Sequence, residues 1–117
     1  MTSSIVTILD ISTGKVQFDE SDHLSVKPST PAYNASKVYA EDTAWDFVKA
    51  LSDEEKFELI TVHPGFILGP PICKGSSFTS EETIKKILTG GFPGLPSIMM
   101  SVVDVRDCAA GHLAALA

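Results

Sequence analysis

Tyr33 and Lys37 are the residues of this 117-residue chain whose types and spacing most directly suggest chemistry. They lie four residues apart in PAYNASKVYAEDTAW, residues 31–45, so in a helix their side chains share one face. A lysine ammonium beside a tyrosine hydroxyl stabilises the phenolate, which lets the tyrosine donate and accept a proton near neutral pH. A surface tyrosine and lysine also occur at this spacing by chance. The neighbouring segments must therefore decide whether the pair is catalytic.

A helix over residues 31–51 is predicted to carry this pair. Proline is preferred in the first turn of a helix, and Pro31 fits that position. A mostly apolar stripe follows at helical spacing, with Trp45 and Phe47 beside it. The stripe positions are Tyr33, Lys37, Ala40, Ala44, Val48 and Leu51.

Strand and helix signals alternate along the rest of the chain. SSIVTIL at 3–9 indicates the end of a strand or its exit, FELITVH at 57–63 a short buried strand that stops at PGFILGPP, and SIMMSVVDV at 97–105 a third strand. A capping box from Thr79 to Glu82 predicts a helix that stops at Gly90, and Asp104 or Asp107 is predicted to cap a last helix. This order predicts an α/β fold with a parallel sheet.

Polar residues and turns follow two of the predicted strands. Ser3 and Ser4 lie at the exit of the first strand, and His63 and Pro64 end the second. Because the carboxyl ends of parallel strands meet at one edge of a sheet, a serine there can approach a tyrosine at the start of the next helix. His63 itself is expected to be structural and bonded to backbone, since no carboxylate is evident beside it in sequence.

Four segments in one order carry a resemblance to a known family: TSS, YNASK, FELITVHPGFILGPP and SVVDVRDCAAGHLAAL. Together they resemble the extended short-chain dehydrogenases/reductases, in the dihydroflavonol reductase-like branch that includes cinnamoyl-CoA reductases. The resemblance is weakest over residues 10–29. It implies that residues 1–117 are a central fragment: a partial NAD(P)-binding Rossmann domain, with a doubly wound parallel sheet that lacks its N-terminal βαβ half. Residues of about 71–100 would then contribute to the substrate side.

The resemblance also implies roles for individual residues. Tyr33 would protonate the carbonyl oxygen as hydride arrives, Ser4 would hold that oxygen by a hydrogen bond, and Lys37 would bind the nicotinamide ribose. A hydroxyl among residues 76–80 would lie near the cofactor. Ser4, Tyr33 and Lys37 are thus the expected catalytic residues, and the expected cofactor-binding residues are Tyr33, Lys37, Pro64, Gly65, Phe66 and Ile67.

The function implied is NAD(P)H-dependent reduction of an aldehyde or ketone carbonyl to an alcohol. Family precedent favours NADP, with NAD possible, and the partner expected is a small carbonyl substrate. The glycine-rich phosphate fingerprint of the fold is absent from this sequence, so the chain alone is expected to bind NADPH weakly. Two alternatives stay open: a nucleotide-sugar epimerase or dehydratase of the same family, and a non-enzymatic truncated product.

Composition excludes several other classes of protein. The net charge of −6 and the scattered lysines and arginines argue against a nucleic-acid partner. No apolar run is long enough to cross a bilayer, so no membrane partner is expected. Cys73 and Cys108 show neither disulfide nor metal-ligand spacing, which favours a reducing compartment, the cytosol, and no metal site. The sequence does not specify an oligomeric state.

Overall fold

The computed structural model describes residues 1–73, 75, 78–94 and 100–117. The chain forms two compact units, Met1–Pro64 and Gly65–Ala117. Parallel strand pairing and helices confirm the α/β class. The elements are two 3-10 helices, Ile5–Thr7 and Ile11–Thr13, then α1 (Ala32–Ala50), β1 (Phe66–Leu68), α2 (Thr79–Leu88), β2 (Val102–Asp104) and α3 (Val105–Ala114).

Residues 1–5 and 60–64 run side by side in parallel and form what we call the first-unit ladder. Its hydrogen bonds alternate between the two segments, as parallel pairing requires. They join the Met1 ammonium to Ile60 O (2.7 Å), Val62 N to Met1 O (3.0 Å), Ser3 N to Val62 O (2.8 Å) and Ile5 N to Pro64 O (3.0 Å). Pro64 has no N–H, so it joins the ladder through its carbonyl alone.

The ladder corrects the strand predicted over residues 57–63. Pairing there is limited to residues 60–64, with a single regular bridge between Thr2 and Val62. Residues 3–9 contain the end of the paired segment and its exit, as their sequence predicts. The exit is a 3-10 helix that begins after Ser4, because the Thr7 N–H bonds back to the Ser4 carbonyl at 3.0 Å.

Helix α1 confirms the predicted helix to within one residue at each end. Its buried residues are Val38 and Glu41, whereas Ala40 of the predicted stripe is exposed. The buried stripe of α1 therefore runs through Val38 and Glu41 and not through Ala40, so it contains the Glu41 carboxylate. The other buried residues of the first unit are Ser3, Ser4, Thr7 and Leu24.

Strands β1 and β2 pair in parallel in the second unit, with Phe66 opposite Val102 and Leu68 opposite Asp104. The sequence predicts a turn where β1 lies. Gly65 accounts for the difference: a Cβ on this residue would lie 2.3 Å from the Ser101 carbonyl oxygen. Because glycine has no Cβ, Ser101 O approaches closely enough to accept from Phe66 N at 2.7 Å.

The N-terminus of α3 has a side-chain cap, whereas that of α2 has none. The capping box predicted at Thr79 is wrong, because Phe78 is the N-cap residue and no side chain caps the helix. Gly90, with φ of 70°, follows its C-terminus as predicted. Asp104 is confirmed as the cap of α3 and accepts from Arg106 N at 2.8 Å.

Part of the third predicted strand, residues 97–99, lies outside the described residues. Among the helices of the described residues, none combines the length and the hydropathy needed to cross a bilayer.

Candidate active site

The structure brings Tyr33 and Lys37 side by side on α1. Tyr33 is the second residue of the helix and Lys37 follows one turn later. The Lys37 Nζ lies 5.9 Å from the centroid of the Tyr33 ring, within the range of a cation–π interaction. The Tyr33 side chain is 59% exposed, so both solvent and a ligand can reach it. The predicted proximity is confirmed, while the catalytic role stays a prediction.

Ser4 is buried and caps the 3-10 helix Ile5–Thr7. Its hydroxyl oxygen accepts from Val6 N at 3.5 Å, which leaves the hydroxyl hydrogen able to donate to another oxygen. In the described part of the chain, no hydrogen bond joins the Ser4 and Tyr33 hydroxyls. The Ser4 hydroxyl is thus available in the first unit as a hydrogen-bond donor, but it is not bonded to Tyr33.

Four of the expected cofactor-binding residues, Pro64 to Ile67, fall on both sides of the unit boundary. Pro64 closes the first unit, and its carbonyl accepts from Ile5 N, one residue after Ser4. Gly65, Phe66 and Ile67 open the second unit, where Gly65 and Phe66 approach Ser101 and Ile67 lines a cleft. Residues 76 and 77, two of the candidate hydroxyl positions, lie outside the described residues.

A cleft of about 720 Å³ opens in the second unit between β1, the segment after it and α2. Its size is that of a small-molecule site. Ser80, another of the candidate hydroxyls, lies in its wall. The remaining lining is largely apolar and includes Ile67, Leu68, Pro70, Pro71, Ile72, Phe78, Ile84 and Val105.

A smaller cleft of about 510 Å³ lies in the first unit and reaches the start of α1 at Pro31 and Asn34. Asp10 is one of its polar lining residues, and its carboxylate accepts from the Ser12 hydroxyl at 2.5 Å and from Ser12 N at 3.1 Å. The hydroxyl bond is the main reason that the pKa of Asp10 lies below its ordinary value.

A buried polar cluster lies on the same helix as the tyrosine and the lysine. We call Ser3, Thr7, Glu41 and His63 the Glu41 cluster. The carboxylate accepts from the Ser3 hydroxyl, from Thr7 Oγ1 at 3.0 Å and from His63 Nε2 at 2.9 Å. Burial raises the pKa of Glu41, but these hydrogen bonds outweigh burial and hold the pKa below its ordinary value.

The cluster overturns one prediction about His63. The sequence predicts no carboxylate beside this histidine, yet Glu41 Oε1 lies within hydrogen-bond distance of His63 Nε2, at 2.9 Å. Glu41 itself was missed in the sequence. A signal was present: it lies four residues after Lys37 and eight after Tyr33, which places all three along one face of α1.

Comparison with known proteins identifies relatives, although no family model matches the chain. It is 35% identical over 89 residues to an NADPH-dependent methylglyoxal reductase of Saccharomyces cerevisiae, covering 72% of this chain and 26% of that protein. It is 33% identical to a ketoreductase of Aspergillus niger over an alignment of 128 positions, which covers 99% of this chain and 37% of that protein. It is 35% identical over 81 residues to cinnamoyl-CoA reductase 2 of Arabidopsis thaliana, covering 69% and 23%. The relatives of this chain are thus oxidoreductases of one reductase family, matched over part of their length.

These relatives confirm the resemblance that the sequence motifs indicate. The chain spans between about a quarter and somewhat more than a third of the lengths of these relatives. The match to the Aspergillus niger ketoreductase covers nearly all of it, so both units fall within the related stretch.

The polar groups of the described residues can hold and move protons. Tyr33 and Lys37 present a hydroxyl and an ammonium at an exposed face. The Glu41 cluster is not a nucleophilic triad, because the Ser3 hydroxyl donates to the carboxylate and not to an imidazole. Within the described residues, no group of three histidine, cysteine or acidic side chains could hold a metal ion.

Proposed function

We propose that this chain supplies the acid–base residues of an NADPH-dependent reductase that converts an aldehyde or ketone carbonyl to an alcohol. The observation that carries the proposal is the Tyr33–Lys37 pair, side by side and exposed on α1 of a chain whose relatives are reductases. Methylglyoxal and ketones, which two of those relatives are named for, are both carbonyl compounds.

The donors on the chain fit both the cofactor and the substrate. Lys37 has three N–H donors and makes no ion pair among the described residues, so it can bond ribose hydroxyls. NADPH, when bound, supplies hydride to the carbonyl carbon. Tyr33 then donates its hydroxyl proton to the carbonyl oxygen, and Ser4 donates a hydrogen bond to the same oxygen. The Lys37 ammonium stabilises the tyrosinate that remains.

The substrate side is proposed to lie in the second unit, over residues of about 71–100. The 720 Å³ cleft supports this assignment, because its apolar walls would hold the non-reacting part of a carbonyl compound. The two parallel pairings, of residues 1–5 with 60–64 and of β1 with β2, support a partial Rossmann-type doubly wound sheet.

The decisive test is Tyr33→Phe, assayed in a chimera in which residues 1–117 replace the matching stretch of the Aspergillus niger ketoreductase. We expect kcat for NADPH-dependent ketone reduction to fall by about 10²- to 10⁴-fold, since only the proton donor is lost. The NADPH dissociation constant should change by less than about twofold, a change that corresponds to under about 0.4 kcal/mol.

Tyr39→Phe is the matched control, because Tyr39 is on the same helix and is also 59% exposed. It should leave kcat unchanged. Equal turnover by the Tyr33 and Tyr39 variants would end the catalytic assignment. A folded but inactive chimera with Tyr33 in place would favour the non-enzymatic alternative, and the names of the relatives favour reduction over epimerisation.

A further inference from the structure

Glu41 connects three separate segments of the first unit. It projects from α1 and accepts from Ser3, before the 3-10 helix, from Thr7, the last residue of that helix, and from His63 in the first-unit ladder. Its side chain is 9% exposed and that of His63 is 18% exposed, so these bonds are largely shielded from water. No other described side chain of the first unit bonds to both of these segments from α1.

The two hydroxyls that bind Glu41 also flank Ser4. Ser3 precedes it, and its N–H is fixed in the first-unit ladder by Val62 O. Thr7 bonds back to the Ser4 carbonyl through its N–H, at 3.0 Å. The single hydrogen of its hydroxyl is shared between that carbonyl, at 2.9 Å, and Glu41, at 3.0 Å. The position of Ser4 is therefore set from both sides by residues that Glu41 holds.

The same carboxylate is rigidly connected to the candidate catalytic pair. Lys37 lies one helical turn before Glu41 and Tyr33 lies two turns before it, on one face of α1. A shift of α1 against the 3-10 exit would withdraw donors from a buried carboxylate, which is far more costly than losing a solvated contact. The bonds thus resist relative movement of Ser4 and the helix.

His63 completes the arrangement from the ladder. An ionised carboxylate only accepts hydrogen bonds, so the Nε2 that contacts Glu41 carries a hydrogen. The backbone on both sides of His63 accepts from the exit segment, at Val62 O and Pro64 O. The imidazole therefore ties α1 to the same ladder that holds Ser3 and Ile5.

We propose that Glu41 and His63 are positioning residues, which fix Ser4 relative to the face of α1 that carries Tyr33 and Lys37. Neither contacts the reacting atoms. The catalytic consequence of this arrangement rests on the proposed reductase function, whereas the geometric statement can be tested in the 117-residue chain itself.

The first experiment is amide hydrogen exchange of the chain with Glu41→Gln. Glutamine keeps the shape but loses the negative charge and one of the two acceptor oxygens, so the charge-assisted hydrogen bonds from the hydroxyls are lost and the imidazole can pair with the amide only in its other tautomer. We expect exchange at Ser3 and Ile5, whose amides bond across the ladder, to accelerate by about tenfold or more. The Phe66 amide of the second unit, bonded to Ser101 O, should keep its rate.

Asp46→Asn is the control, because Asp46 is an exposed carboxylate on the same helix, and it should change none of these rates. If Glu41→Gln unfolds the chain, Thr7→Val decides, since it removes a single donor and keeps the side-chain shape. It should accelerate exchange at Ser3 and Ile5 by a few-fold and leave Phe66 unchanged. Wild-type rates at Ser3 and Ile5 in a folded Glu41→Gln or Thr7→Val variant would overturn the proposal.

A spectroscopic signature separates positioning from a general effect on folding. In the wild-type chain, ¹⁵N spectra of the His63 ring should show a protonated Nε2 at neutral pH. In folded Glu41→Gln the ring should change tautomer or signal position, and a ring spectrum identical to wild type would contradict the contact. In the active chimera, the same substitution should lower kcat more than it changes KM. A chimera without turnover would count against the proposed function and leave the exchange result standing.

Discussion

The two units of this chain are stabilised in different ways. In the first unit the buried residues include Ser3, Ser4, Thr7 and Glu41, with Leu24 and Val38 as the buried apolar side chains. In the second unit no described residue is fully buried, and its main feature is an open cleft with apolar walls. One unit holds polar groups at defined distances, and the other offers apolar surface.

The difference matches two different requirements of a reductase. Proton donors must be held at fixed distances and angles, and hydrogen bonds are directional enough to do so. An apolar binding surface needs no such precision, since the hydrophobic effect depends on area and not on direction. The contrast suggests that changes in the first unit affect geometry, while changes in the second affect binding.

The largest effect on the free energy of unfolding is expected from removing the Glu41 carboxylate of the first unit. Glu41→Leu leaves the Ser3 and Thr7 hydroxyls and the His63 ring without their partner in a buried place. The free energy of unfolding, measured from exchange at the Ser3 amide, should fall by about 3 kcal/mol. Asp46→Leu at an exposed position of α1 should change it by less than about 0.5 kcal/mol. Equal effects of the two substitutions would contradict the special contribution of the buried carboxylate to the first unit.

Gly65→Ala should give the next largest effect, confined to the second unit. The added Cβ would collide with the Ser101 carbonyl oxygen, so β1 and β2 must separate and stability should fall by about 1–3 kcal/mol. Gly111→Ala is the matched substitution, because it lies in α3 with open space around it. It should stabilise the unit by about 1 kcal/mol. Exchange at the Phe66 amide reports both, and a common sign would contradict the packing argument.

The smallest effect is on the acid dependence of stability. The pKa of Glu41 is lower in the folded chain than its ordinary value of 4.5, so the ionised group stabilises the first unit above that pH. This contribution is lost as the pH falls through the folded pKa. Glu41→Gln should remove this part of the acid dependence, as followed by Ser3 exchange between pH 5 and pH 2.

Asp104 gives the corresponding expectation for the second unit. Hydrogen bonds from the side chain and the backbone N–H of Arg106 lower its pKa from 3.8 to about 2. The α3 cap is thus fully effective above pH 3.8 and is lost as the pH falls through about 2. Asp104→Asn should abolish this step in the helical circular dichroism signal. A step that persists in the variant would assign it to another group.

Local patterns gave reliable predictions where neighbours in sequence determine the structure. The helix predicted over 31–51 is observed as Ala32–Ala50, and Asp104 caps α3 as its position before the helix predicts. Tyr33 and Lys37 lie together because helical spacing alone brings them together. These features need no information about distant residues.

The errors concern contacts between distant segments. The strand predicted at 57–63 is displaced to 60–64 because its pairing depends on residues 1–5. Strand β1 forms in an apparent turn because Gly65 admits a carbonyl from Ser101. The contact between Glu41 and His63 joins residues 22 apart. Neither helical nor strand periodicity in the sequence predicts a contact between residues so far apart.

The polar interior of the first unit also has a thermal consequence. Exposure of apolar surface raises the heat capacity on unfolding, and exposure of polar surface lowers it. Residues 1–64, all of which the structure describes, include two buried apolar residues and four buried polar or charged ones. Their heat capacity change per residue should therefore be below the usual value of about 12–15 cal/mol/K. The stability of this unit then varies little with temperature, so the distances between its proton donors are preserved in the cold as well as in the warm.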